Sequence, residues 1–204
     1  MLNMKSKRSY TMGARAEAMA ETRRRILQAV LDLATETLNL DPTLEMVAAQ
    51  AGVSVQTVLR HFGDRESLFG AALDAATTDV VAEREAPAGD VTAAVRIIVA
   101  HYESRGDFVI HLLGHERDDE RFARVTEPGR GLHRKWVADV FAPQMRGRAD
   151  AEQLTDLLVV ATDVYTWKLL RRDRGLSRSE TESRIRQLID AVLSAPGSSS
   201  GGTS

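Results

Sequence analysis

The chain has 204 residues, 43% of them apolar, enough for one large or two modest cored domains without covalent staples. It has no cysteine, which excludes disulfides, thiolate metal sites and thiol nucleophiles and suits a cytoplasmic location, and no apolar run approaches the ~20 residues that span a bilayer. The net charge of −2 is split: residues 1–25 hold Lys5, Lys7, Arg8, Arg15, Arg23, Arg24 and Arg25 against Glu17 and Glu21, a net +5, leaving −7 for the rest. A basic front on an acidic body suits a protein that sets one end on a polyanion, although a solvated basic tail has the same composition.

In chain order, residues 1–14 read as a flexible basic arm, with no apolar stretch behind them of the kind that makes a signal peptide. A first helix is expected over about residues 17–37, where Ile26, Val30 and Leu33 recur at helical spacing. Residues 39–42 break it. Thr43 is placed to cap a second helix, with Glu45 in its first turn. Val47, Ala48 and Ala51 line one face of that helix. Gly52 can take the left-handed conformation that ends it, and Ser54 can cap a third helix carrying Val58 and Phe62. The small Ala48 and Ala51 let the third helix cross close to the second. This spacing is that of a helix-turn-helix, whose second helix fits the DNA major groove.

Asp64 caps a connecting helix that carries Leu68, Phe69, Ala72, Leu73 and Ala76. Ala86-Pro87-Ala88-Gly89 breaks the chain again and marks a domain boundary. Helix resumes at Asp90 with Val91, Val95, Ile98, Val99 and Tyr102. Gly106-Asp107 is expected to break it before a short apolar helix over residues 108–115. Residues 116–120 read as an exposed charged run and residues 128–131 as a turn. A helix with Leu132, Trp136, Val137, Val140 and Phe141 follows. Two long helices close the pattern, over about residues 151–172 and 178–194, before the Ser/Gly run of residues 196–204. The expected organisation is an arm (1–14), a helix-turn-helix domain (15–63), a connecting helix (64–86), a regulatory and dimerisation domain (87–195) and a disordered tail (196–204).

The chain resembles the tetracycline-repressor (TetR) family of bacterial transcription regulators. The resemblance rests on a joined series. Thr22-Arg23-Arg24-Arg25-Ile26-Leu27 matches the opening of the family's first helix. Ala48-x-x-Ala51-Gly52-Val53-Ser54 matches its turn, Thr57-Val58-Leu59-Arg60-His61-Phe62 its recognition helix, and Asp64-Arg65-Glu66-x-Leu68 the start of its fourth helix. The chain departs from the family pattern at Leu59, usually a phosphate-touching Tyr, at Gln56, usually Gly or another small residue, and at Arg65, usually Lys. The resemblance implies an all-α fold of about nine helices, with an N-terminal three-helix DNA-binding domain and a C-terminal helical domain for ligand binding and dimerisation.

The expected DNA contacts divide into positioning and reading groups. Thr22, Arg23, Arg24, Thr43, His61 and Arg65 would meet phosphates, together with the N-terminal turn at Ser54 and Thr57. Val55, Gln56, Leu59 and Arg60 would face base edges, Gln56 suiting adenine and Arg60 suiting guanine or a phosphate. Leu59 would meet a thymine methyl or pack inward.

A homodimer on a palindromic or pseudo-palindromic operator follows from the two-fold logic of such readers. Leu154, Leu158, Tyr165, Leu169, Ile185, Leu188, Ile189 and Val192 are the candidate interface. A small-molecule effector would sit among Val95, Ile98, Tyr102, Phe108, His111, Leu112, His115, Trp136, Val140, Leu158 and Tyr165. The leading reading is a repressor released from DNA by a small apolar or aromatic ligand. The alternatives are an activator or a ligand-independent repressor, and, remotely, an enzyme on a borrowed DNA-binding fold. His111 and His115 share a helical face at a spacing too common to argue for a metal. Pro128-Gly129-Arg130-Gly131 lacks the strand and third glycine of a dinucleotide loop. No catalytic residue, metal site or cofactor is expected, and no membrane partner.

Overall fold

The structure, a computed structural model, describes the backbone of residues 4–195 and the side chains of residues 13–195. The Ser/Gly tail expected over residues 196–204 lies outside the described residues, as do residues 1–3. All described regular structure is helical: α1 (Met4–Thr37), α2 (Leu44–Ala51), α3 (Val55–Phe62), α4 (Arg65–Glu83), α5 (Val91–His115), α6 (Glu120–Val140), α7 (Ala142–Met145), α8 (Ala151–Thr162), α9 (Val164–Lys168) and α10 (Arg178–Ser194), with a π-helical turn (Leu169–Asp173) continuing α9. Helix α1 begins at Met4, inside the stretch expected to be an arm. Contacts divide the chain into two units inside α4, between Asp79 and Val80, ahead of the break at residues 86–89. Among the described residues no helix is long and apolar enough to cross a membrane.

The first unit is built around the stripe of α1. Ile26, Ala29, Val30 and Leu33 are buried against Val47, Ala48 and Ala51 of α2, Val58 and Phe62 of α3, and Leu68 and Ala72 of α4. The caps are those the residue types dictate. Thr43 accepts from the Met46 amide at 3.3 Å and Ser54 from the Thr57 amide at 3.2 Å. The Asp64 carboxylate accepts from the Ser67 amide at 2.7 Å, and that bond holds it below the usual carboxylate range. Gly52 ends α2 at φ 64°, where a side chain would be strained.

The second unit packs α5, α6, α8, α9 and α10 around Ile98, Val99, Val137, Phe141, Leu158, Trp167, Ile185 and Ile189. Three expectations change here. Helix α5 runs unbroken through Gly106, because that glycine is where α5 passes against the buried Trp167: a Cβ there would lie 2.4 Å from Cζ3 of the indole. Helix α6 runs through Pro128 and both neighbouring glycines, so no turn forms at residues 128–131. The helix expected over residues 151–172 is broken at Asp163, whose extended backbone (ψ 153°) ends α8 and whose carboxylate caps α9 by accepting from the Tyr165 amide at 2.8 Å. The last helix is fixed at its start by a capping box that Ser177 and Glu180 form.

Candidate functional site

Helix α3 has two faces. At 3.6 residues per turn, Gln56 and Arg60 lie roughly 200° from Val58 and Phe62. Val58 and Phe62 are buried in the core, whereas Gln56 and Arg60 are exposed. Ser54 fixes where the helix starts, and its hydroxyl is 3.0 Å from that of Thr57. Val55, Thr57, Leu59 and His61 are half-buried between the two faces. A short helix clamped at its cap and held by two buried anchors is a rigid carrier for an exposed amide and guanidinium.

Side chains expected to meet phosphate fall into two groups. Thr43 lies exposed at the first turn of α2, and Arg24 is exposed and paired with Glu21. Thr22 turns its hydroxyl to the Ala18 carbonyl at 2.9 Å. Arg23 and Arg65 are engaged within the domain. Arg23 stacks 4.2 Å above the Phe62 ring and donates to the His61 carbonyl at 3.3 Å, placing a cation at the C-terminal end of α3. Arg65 pairs with Asp41, donates to the Pro42 carbonyl at 3.2 Å and covers the Phe69 ring at 4.5 Å. Arg23 thus braces α3, and Arg65 ties the start of α4 to the loop ahead of α2.

In the second unit, most of the expected effector-lining residues are core. Val95, Ile98, Tyr102, Leu112, Val140 and Leu158 are buried; Phe108, His111 and Trp136 are half-buried; His115 and Tyr165 are exposed. His111 and His115 have ring centroids 4.3 Å apart, and both sit beside Phe122. Among the described residues no three His, Cys, Asp or Glu side chains are grouped to hold a metal.

A polar cluster threads this core. His101 is 4% exposed and joins Glu83, the last residue of α4, and Arg84, the next residue, to α5: its Nδ1 is 2.9 Å from Glu83 Oε2 and its Nε2 is 2.8 Å from Arg84 Nη2. Burial, then the Arg84 charge, push its pKa down to about 4. His133 is likewise pushed to about 4 by burial and Arg84. Tyr102 donates to the Thr162 carbonyl at 3.1 Å, and Trp136 Nε1 to the Arg84 carbonyl at 2.7 Å. Nothing local in the sequence marks His101, Arg84 or His133, because their partners come from other helices.

The expected dimer face is corrected by burial. Leu154, Leu158, Ile185 and Ile189 are no more than 2% exposed and belong to the unit's own core. Val192 is half-buried. Tyr165, Leu169 and Leu188 do reach the surface, at 48%, 58% and 45% exposure, joined by Leu157 at 50% and Val160 at 64%. The alternation along α8 carries the signal that separates them: Leu154, Leu158 and Ala161 point inward, Leu157 and Val160 outward.

Residues 40–72 match the family model of bacterial regulatory proteins, tetR family. No protein of curated function matches the chain. Among solved structures, a transcriptional regulator from Rhodococcus sp. Rha1 has the same fold at a TM-score of 0.60 and 20% identity, covering 84% of this chain and 95% of that one. A TetR-family transcriptional regulator from Rhodococcus sp. matches at 0.59 and 20%, covering 85% and 100%.

Proposed function

We propose that this chain, a TetR-family protein by its helix-turn-helix domain, works as a homodimeric repressor that a small apolar or aromatic ligand releases from its operator. The observation that carries the reading is the exposed pair Gln56 and Arg60 on a helix anchored through Val58 and Phe62. An exposed amide and guanidinium one helical turn apart match the edges of adenine and guanine, where a bidentate contact contributes roughly 1–3 kcal/mol of discrimination. One such helix reads only a few base pairs, and two copies related by a two-fold axis supply the remaining specificity.

The exposed apolar side chains of α8, α9 and α10 support the pairing. They are large, lie on elements that pack against one another, and a second copy would remove them from water. An effector would bind the second unit, the larger of the two and the one without the helix-turn-helix.

Footprinting the intergenic DNA beside the gene with the full chain tests the reading. A protected palindrome is expected. The double variant Gln56→Ala, Arg60→Ala should lose that footprint while its circular dichroism is unchanged. Equal protection by the variant would remove α3 as the reading helix.

A further inference from the structure

The polar cluster of the second unit holds a cation with no carboxylate in contact: Glu83 and Asp163 act on Arg84 only through space. Glu83 is already matched by Arg105, whose Nε lies 3.1 and 2.9 Å from the two carboxylate oxygens. Arg84, beside it, meets the imidazole of His101 instead of a carboxylate. A guanidinium can only donate, so His101 Nε2 accepts, its proton sits on Nδ1 facing Glu83, and the ring is neutral. Arg84 also lies 5.6 Å from the Tyr102 ring centroid, and its Nε is buried with no hydrogen-bond partner. A buried guanidinium with neither a counter-ion in contact nor a full set of acceptors is costly.

A second orphan belongs to the same cluster. His133 is 7% exposed, and its Nε2 lies 3.2 Å from Thr162 Oγ1 and 3.4 Å from the Val159 carbonyl. Thr162 directs its own hydroxyl proton to the Leu158 carbonyl at 2.7 Å, so its oxygen accepts and His133 carries its proton on Nε2. Nδ1 is then a bare acceptor, buried and unpartnered. The two orphans are tied together from both sides. Trp136 donates to the Arg84 carbonyl and stacks on His133, with ring centroids 5.8 Å apart and planes 14° apart. Tyr102, beside Arg84, donates to the carbonyl of Thr162, which holds His133.

We propose that this ring of contacts is the effector site and that it takes a small hydroxy acid, the carboxylate pairing with Arg84 and the hydroxyl donating to Nδ1 of His133. The proposal rests on the ligand-released reading above and revises its effector from a plain apolar or aromatic compound to one that carries a carboxylate and a hydroxyl. A carboxylate supplies the contact acceptors that Arg84 lacks, in the fork geometry that a guanidinium favours. A hydroxyl satisfies the imidazole acceptor that a plain acid would leave unpaired.

Glycolate, acetate and chloride are the smallest probes that separate these contributions. Thermal unfolding of the full chain is followed in their sodium salts at matched ionic strength. Glycolate should raise the melting temperature saturably, with a half-saturation about tenfold below that of acetate, the ratio one satisfied buried hydrogen bond produces. Chloride should give no saturable shift. Arg84→Met should abolish both responses, and His133→Phe should keep the acetate response while removing the advantage of glycolate. A chloride shift equal to that of glycolate, or an Arg84→Met protein that responds like the parent, overturns the proposal. If Arg84→Met does not fold, the contrast of glycolate with chloride in the parent and a weakened response in Arg84→Lys decide it. Operator release is measured separately. Acid binding without release keeps the site and removes the ligand-released reading; release by neutral aromatics with no response to the acids does the reverse.

Discussion

A Cβ at Gly106 would lie 2.4 Å from Cζ3 and 2.7 Å from Cη2 of Trp167, a side chain with no exposed surface. The indole cannot yield easily: it donates to Glu103 at 3.0 Å and lies under the Arg172 guanidinium at 4.4 Å. Gly106→Ala should therefore destabilise the second unit by about 1–3 kcal/mol despite the higher helix propensity of alanine, read as a lowered urea midpoint. The two buried imidazoles make a second prediction at this scale. His101 faces Arg84, Glu83 and Arg105, and His133 feels Arg84 and His101; both have pKa values near 4 in the folded chain. Unfolded histidine titrates near 6.5. Between those values the unfolded chain binds protons that the folded chain refuses, so stability falls as pH drops from about 6.5 toward 4. The slope approaches about 1.4 kcal/mol per pH unit for each histidine. Denaturant titrations at pH 7.0, 6.0 and 5.0 avoid most carboxylate titration, and His133→Gln should roughly halve the slope. A parent protein equally stable at all three values would mean that these rings are charged or hydrated when folded. Neither histidine was recognisable in the sequence as buried, since each gains its environment only from elements distant along the chain.

At the scale of elements, the helices of the first unit were legible because their signals are local. Thr43, Gly52, Ser54 and Asp64 each act within four residues, and the apolar spacing of α1 to α3 marks side chains that the core buries; in α4 it marks Leu68 and Ala72, which are buried, but also Leu73 and Ala76, which are not part of that core. The reading failed where local punctuation was overruled. Gly106 answers to Trp167, and Pro128 sits inside α6 with its ring exposed. The proline removes the N–H that would donate to the Arg124 carbonyl, so α6 is held through it by packing of Thr126, His133 and Val137 on either side. Pro128→Ala should consequently stabilise the chain by about 1–3 kcal/mol, visible as a higher melting temperature. A lower value would mean that the fixed backbone of the proline contributes more than its missing N–H costs. Conversely, the break between α8 and α9 at Asp163 was invisible because both sides keep helical spacing. In the first unit, Ser54→Ala should cost about 1 kcal/mol, since the Thr57 amide loses its acceptor. Loss of operator affinity beyond that would show that the hydroxyl also contacts DNA.

For the whole molecule, the question is what covers Leu157, Val160, Tyr165, Leu169 and Leu188. Single exposed apolar residues are ordinary, but these five are large and sit on α8, the α9 region and α10, elements that pack against one another. The sequence reading took Leu154, Leu158, Ile185 and Ile189 for the interface, residues that the unit needs for its own core. Leu157 and Val160 are three apart on α8 and share its outward side, so a charge there meets its own copy across a two-fold axis. Leu157→Glu with Val160→Glu should convert a dimer to a monomer in sedimentation velocity. Fold should persist, because neither side chain contributes to the buried core. Operator binding should then weaken far more than any single phosphate contact explains, because each half-site must be held independently and the gain from linking two readers is lost. The same substitutions made at the buried pair Leu154 and Leu158 would unfold the second unit instead, and that contrast separates an interface from a core. A double variant that remains dimeric would place the pairing surface elsewhere on the chain.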